Sequence, residues 1–257
     1  MLLFSACATR TFSEKVENAE SCIFYESKFY FANFENEGAF INSYDSKRWT
    51  RYFVEGLERP KGIAAFEGFL LINDQTQIHI YSLQRKRIVK TLKVPGAISL
   101  NDIAIDEKGN FFSADSKAQI IFAGHISSPL VTPYFNVDFI PNGLLIDGDN
   151  LLISSWGREM DENWNTLHRG KLWKYSFGDN KLNPFHPKEL GYLDGIAKLS
   201  ENKYLVSAKR ENRLYIFEKD KEPRVHSSAL GPADIGVSNS MVCIPSYSHE
   251  KVEIREL

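Results

Sequence analysis

Short apolar runs separated by turn residues recur along the whole chain. In the middle, Pro141-Asn142-Gly143 opens a run through Leu144-Leu145-Ile146, Asp147-Gly148 breaks it, and Leu151-Leu152-Ile153 follows. Two apolar triplets flanking an Asp-Gly signal predict two antiparallel strands joined by a tight turn. The unit recurs at Asn101-Asp102-Ile103-Ala104-Ile105 with Phe111-Phe112, and at Asp194-Gly195-Ile196-Ala197 with Tyr204-Leu205-Val206. Weaker copies begin at Glu20-Ser21-Cys22-Ile23, Lys61-Gly62-Ile63 and Ala233-Asp234-Ile235.

In this alignment the leading residues are Glu20, Lys61, Asn101, Asn142, Asp194 and Ala233, with gaps of 41, 40, 41, 52 and 39 residues. A period near forty built from short strands predicts an all-β, six-bladed β-propeller with four strands per blade. After Ala233 only two or three strands fit before the chain ends at Leu257. The weakly alternating stretch from Thr11 to Glu17 is therefore expected to complete the last blade and close the ring, leaving no open edge. Residues 11–257 would form one domain, with residues 1–10 outside it.

Composition changes this picture little. The 18 Phe and 11 Tyr favour strands. A net charge of −2 carries no electrostatic footprint for nucleic acid. No apolar run approaches the roughly 20 residues of a membrane-spanning helix. The basic triplet Arg85-Lys86-Arg87 fits a solvated hairpin tip. Cys22 and Cys243 lie in strand-like runs without metal-type spacing and are expected as buried thiols. A disulfide between them stays open, because first and last blades are neighbours. Met1 to Cys7 is similar to the tail of a bacterial lipoprotein signal, which makes Cys7 a candidate lipid anchor and the periplasm or envelope the expected location. The alternative is a disordered N-terminus on a cytoplasmic protein. A monomer is expected in either case.

The chemistry gathers at the repeat starts. Inner strands of a propeller line its central channel, so the six leading residues should converge on one opening. Glu20, Asn101, Asn142 and Asp194 would present hard oxygen atoms carrying two formal charges. Such a group facing itself without a cation is repulsive and poorly solvated. Oxygen donors without His or Cys favour calcium or magnesium over zinc.

From about residue 20 onward the chain resembles the senescence marker protein, gluconolactonase and luciferin-regenerating enzyme family of six-bladed propellers. Glu20-Ser21-Cys22, Pro141-Asn142-Gly143 and Leu193-Asp194-Gly195 match, in order and spacing, motifs that hold one divalent cation in that family. The resemblance implies Glu20, Asn142 and Asp194 as ligands of one Ca2+ ion. Ser99-Leu100-Asn101-Asp102 corresponds to a substrate-contacting Arg-x-Asn-Asp stretch, which implies Asn101 and Asp102 as substrate contacts. Ser99 stands where the family has arginine, and Cys22 and Leu193 where it has proline. Lys61, at the channel position of blade two, is a candidate to replace the missing positive charge, the alternative being a side chain that points to solvent.

Two functions follow from these observations. One is a metal-dependent hydrolase of a small lactone or ester. Its cation polarises the carbonyl, and Asp194 serves as ligand and general base. No Gly-x-Ser-x-Gly elbow is present for serine chemistry. The other is a non-catalytic propeller acting as a binding or scaffold module in the bacterial envelope. The extra dozen residues of blade four, between Ser155 and Lys171, start near the channel mouth. Trp156, Trp164 and His168 are expected there as one wall of a pocket, with Trp156 contacting substrate.

Overall fold

The computed structural model describes residues 12–35, 38–238 and 240–257. The chain enters on β1 (Phe12–Lys15) and then builds blade one from β2 (Ala19–Tyr25), β3 (Lys28–Glu35), β4 (Gly38–Tyr44) and β5 (Trp49–Leu57). Blade two is β6 (Pro60–Phe66), β7 (Phe69–Asp74), β8 (Gln77–Ser82) and β9 (Arg87–Lys93). Blade three is β10 (Leu100–Ile105), β11 (Asn110–Asp115), β12 (Ile120–His125) and β13 (Val131–Asn136). Blade four is β14 (Ile140–Asp147), β15 (Asn150–Met160), β17 (Leu172–Ser176) and β18 (Lys181–Pro184), with β16 (Thr166–Arg169) paired to the far end of β15. Blade five is β19 (Leu193–Ser200), β20 (Lys203–Ala208), β21 (Arg213–Glu218) and β22 (Arg224–Ser228). Blade six has β23 (Gly236–Val237), β24 (Met241–Ser246) and β25 (Lys251–Glu256).

The six-bladed architecture is thus the one that the forty-residue period predicts. β1 is the fourth strand of blade six, pairing antiparallel to β25 from Phe12 opposite Ile254 to Lys15 opposite Lys251. Ring closure therefore links the two ends of the chain through main-chain hydrogen bonds, and the edge of β25 is covered. Residues 1–11, with Cys7 and Thr11, lie outside the described residues.

Alternation along the strands puts one apolar row of each blade against the next blade. The result is six apolar clusters, one at each interface. Leu71, Ile78, Phe111 and Phe122 join blades two and three, and Val16, Phe31, Val252 and Ile254 join blades six and one. That last interface also corrects the buried-thiol expectation. Cys22 on β2 and Cys243 on β24 are joined as a disulfide, with Cα atoms 6.4 Å apart. The pairing follows from closure, which brings together two strands separated by 221 positions.

Candidate functional site at the channel mouth

Asn-Gly and Asp-Gly are common in turns, but Asn142-Gly143 and Asp194-Gly195 lie inside strands, at β-bulges. The register of β14 on β15 shifts between Pro141 and Leu144, and that of β19 on β20 between Leu193 and Ile196. Equivalent shifts fall at Glu20, at Lys61-Gly62 and at Asn101-Asp102. A bulge frees a residue from the ladder and re-aims its side chain. Five leading residues are delivered to the channel in this way.

In three of the five bulges the second residue is glycine, and close packing explains it. A Cβ on Gly62 would lie 2.5 Å from the Asp102 Cα, and one on Gly195 2.5 Å from the Asp234 Cα. A Cβ on Gly143 would collide with the Asp194 carbonyl oxygen. Inner strands of adjacent blades approach here backbone to backbone, so these glycines serve packing and not turn formation. Buried serines fix the approach. Ser154 Oγ accepts from Gly143 N at 2.8 Å and donates to the Asp194 carbonyl. Ser207 Oγ accepts from Gly195 N and donates to the Ala233 carbonyl, each at 2.7 Å.

Glu20, Asn101, Asn142 and Asp194 line one cavity of about 800 Å3, together with Lys61 and Trp156. Asn142 Oδ1 accepts from Asn101 Nδ2, and Asn142 Nδ2 donates to the Leu193 carbonyl at 3.1 Å. Asn101 Nδ2 also donates to Ser116 Oγ at 2.9 Å, and Ser116 donates to the Pro141 carbonyl at 2.7 Å. The two amides are therefore held in a fixed chain across blades three, four and five.

Lys209 was not singled out in the sequence. It follows directly after β20, and its Nζ lies 3.3 Å from Glu20 Oε2 and 3.4 Å from Asp194 Oδ2. Tyr247 stands beside it, with the ring centroid 5.1 Å from Nζ. Burial pulls the Lys209 pKa down, but the charges of Glu20 and Asp194 outweigh it and hold the ammonium above the ordinary lysine value. Burial raises Asp194 to about 6, against the downward pull of Lys209.

These contacts bear on the expected Ca2+ ion. The donor set of two carboxylates and one amide oxygen suits a hard cation. In this arrangement, however, the position between the carboxylates is taken by an ammonium, and Asn142 Oδ1 is engaged by Asn101. A divalent ion there would face Lys209 at close range in a partly dehydrated site, where like charges repel strongly. The residues as arranged fit an internal ammonium and do not fit an added divalent ion. Among the described residues, no group of three or more His, Cys, Asp or Glu side chains is arranged to hold a metal.

Asp102 is the one proposed contact that does not face this cavity. Its Oδ1 accepts from Ile103 N at 2.7 Å and its Oδ2 from Leu144 N at 2.6 Å, so it clamps blade three to blade four. Neighbouring residues of the bulge point apart, Asn101 to the cavity and Asp102 to the channel below. Asp234 plays a similar part in blade six, accepting from Ser21 Oγ at 2.7 Å. Burial raises Asp102 to about 7 and Asp234 well above the usual carboxylate range. The folded protein then holds protons that the unfolded chain, titrating near ~3.9, releases earlier. Their stabilising contribution is complete below that value and is lost as pH rises through about 7. His226, pulled down by burial, opposes this. With Asp194, three carboxylates stand against one imidazole, so Tm is expected to fall between about pH 5 and 8. Asp102→Asn should flatten the decline; thermal melts across that range check it.

The blade-four insertion is a hairpin extending β15 and β16, with Arg158 opposite His168. Its tip is tied to blade five, where Arg210 Nη1 donates to Asn165 Oδ1 at 2.7 Å and Nη2 to the Asn163 carbonyl at 3.0 Å. Trp156 Nε1 donates to the Trp164 carbonyl at 3.0 Å, and both indoles line the cavity. His168 does not line it. It lies 3.7 Å from Glu159 and 3.8 Å from Glu189.

No protein-family model matches the chain, and no curated protein matches it. Solved structures match over nearly its whole length. A gluconolactonase from Xanthomonas campestris superposes with a TM-score of 0.77 at 12% identity, over 97% of this chain and 89% of that one. A chain of a nidogen/laminin complex gives 0.72 at 14%, over 96% and 90%. Hydrazine synthase from Kuenenia stuttgartiensis gives 0.67 at 12%, over 95% and 97%. At these identities the likeness establishes the β-propeller fold that the chain shares with proteins of unrelated function.

Proposed function

We propose that the protein hydrolyses a small lactone or ester bound at this mouth of the channel. The observation that carries the reading is the Glu20–Lys209–Asp194 cluster in the lining of an organic-molecule-sized cavity. The gluconolactonase neighbour supports the same chemistry. Asp194 accepts a proton from a water molecule as the water oxygen adds to the carbonyl carbon. The carbonyl π pair moves onto oxygen, where the Lys209 ammonium stabilises the developing charge. Collapse re-forms the carbonyl and breaks the C–O bond to the leaving alkoxide, which takes the proton back from Asp194. Asn101 orients the bound molecule, and Asn142 holds Asn101 in place. In this mechanism Lys209 supplies the positive charge at the site.

A purely structural propeller gives no reason to gather these charges beside an open cavity, so the scaffold reading is not favoured. The disulfide between Cys22 and Cys243 supports a periplasmic or envelope location, since such bonds persist in oxidising compartments.

The test is a panel of γ- and δ-lactones and aryl esters. Asp194→Asn preserves shape but cannot accept the proton, and turnover is expected to fall by about 10²–10⁴. Hydrolysis that survives this change, or no hydrolysis across the panel, contradicts the reading.

A further inference from the structure

The charges lining the cavity do not balance. Among the described residues, Arg59, Lys61, Lys117, Lys209 and Arg210 face two carboxylates there, Glu20 and Asp194, in a chain whose net charge is −2. Lys209 is shared between the two carboxylates, and Arg210 is engaged by neutral groups of the insertion. Lys61 is different. Among the described residues its ammonium has neither an ion-pair nor a hydrogen-bond partner, although the residue is partly buried. Burial pulls its pKa below the ordinary lysine value; the charges of Glu20 and Asp194 oppose this, and those of Arg59 and Lys209 add to it. Among the described residues Arg59 also has no acidic partner, its guanidinium lying 4.8 Å from the centre of the Phe34 ring. Gathered cations with water partly removed cost stability unless an anion shares them.

We propose that the cavity binds an organic anion, with its carboxylate or phosphate held by Lys61 and Arg59. The carbon skeleton lies against Trp156, Trp164 and Tyr247. Taken with the hydrolase reading, on which this last step rests, the substrate is a lactone or ester that itself carries a negative group. Lys61 sits in the bulge of blade two and Arg59 directly before its first strand, while Asp194 and Lys209 belong to blade five. The charged group and the reacting carbonyl therefore occupy different sides of the ring. Trp156 and Trp164 enter on the blade-four hairpin between them.

The test is binding, separate from turnover. Calorimetry on the full chain compares isosteric pairs that differ in charge, gluconate against gluconamide and benzoate against benzamide, with inorganic phosphate as a third arm. The anion of at least one pair is expected to bind at least about tenfold more tightly than its amide, the scale of one charged hydrogen bond. The phosphate arm distinguishes a phosphate-selective site from a carboxylate one. Lys61→Met keeps the apolar stem and removes the charge, so it should erase the preference. Arg59→Gln, on a more exposed residue, repeats the test should the first variant fold poorly. Equal binding within both pairs, or no binding by any anion, overturns the proposal. Anion binding without lactone or ester turnover would sink the hydrolase reading alone. Turnover of neutral lactones without anion binding would sink this proposal alone.

Discussion

Replacing both Cys22 and Cys243 by alanine is expected to lower stability by about 2–5 kcal/mol, among the largest effects available from a non-catalytic change. Two reasons combine. The crosslink closes a loop spanning 221 positions, so its removal releases a large share of unfolded-chain freedom. It also sits where the ring closes, because β24 of the last blade meets β2 of the first there. Beyond the disulfide, that seam is held by the blade-six-to-one apolar cluster, while β1 pairs with β25 to complete the sixth blade. For a chain of this size each kcal/mol moves Tm by about 2–4 °C. Melts of the oxidised protein, the reduced protein and the double variant are the check. The last two should agree with each other and fall well below the first. Coincidence of all three would mean that the seam does not depend on the bond.

Lys209→Met should produce the second large effect and an unusual rescue. The substitution leaves Glu20 and Asp194 facing a common point without their cation. Breaking a buried pair on one side costs about 3–5 kcal/mol. Asp194 avoids part of this by taking up a proton. A net loss of about 2–3 kcal/mol, or roughly 4–12 °C in Tm, is expected. The same change uncovers the two carboxylates of Glu20 and Asp194, a donor pair for a hard divalent ion. Calcium should therefore raise the Tm of Lys209→Met and leave that of the wild type nearly unchanged. A larger calcium shift in the wild type would show that Lys209 moves aside for the ion.

The architecture was legible because it rests on repetition. Six apolar units at a spacing near forty, one of them lengthened by an insertion, indicate a propeller whatever their individual sequences, and a short final unit indicates closure by the N-terminal strand. The convergence of Glu20, Asn101, Asn142 and Asp194 was legible for the same reason, since the register that defines the repeat also defines the channel position. What escaped was whatever lies off that register. Lys209 comes at the end of the second strand of blade five, not at a repeat start. Its only signal is a lysine directly following the buried run Tyr204–Ala208. Ser154 and Ser207 were hidden inside apolar runs, where a buried hydroxyl must find partners and here finds the next blade's backbone. The bulge at Asn142-Gly143 has no signal of its own, because a bulge and a turn favour the same residue types. Asp102 was assigned to substrate along with Asn101, although successive residues of the bulge diverge. The cysteine pair could be judged only once the geometry of closure was known.

The internal ammonium is the feature on which the chemistry turns, and turnover of the wild-type protein after exhaustive chelation tests it most directly. With Lys209 between Glu20 and Asp194, hydrolysis of the best substrate in the panel should continue undiminished in chelator and gain nothing from added calcium. Loss of turnover in chelator, restored by calcium, would contradict it and return the site to a divalent ion.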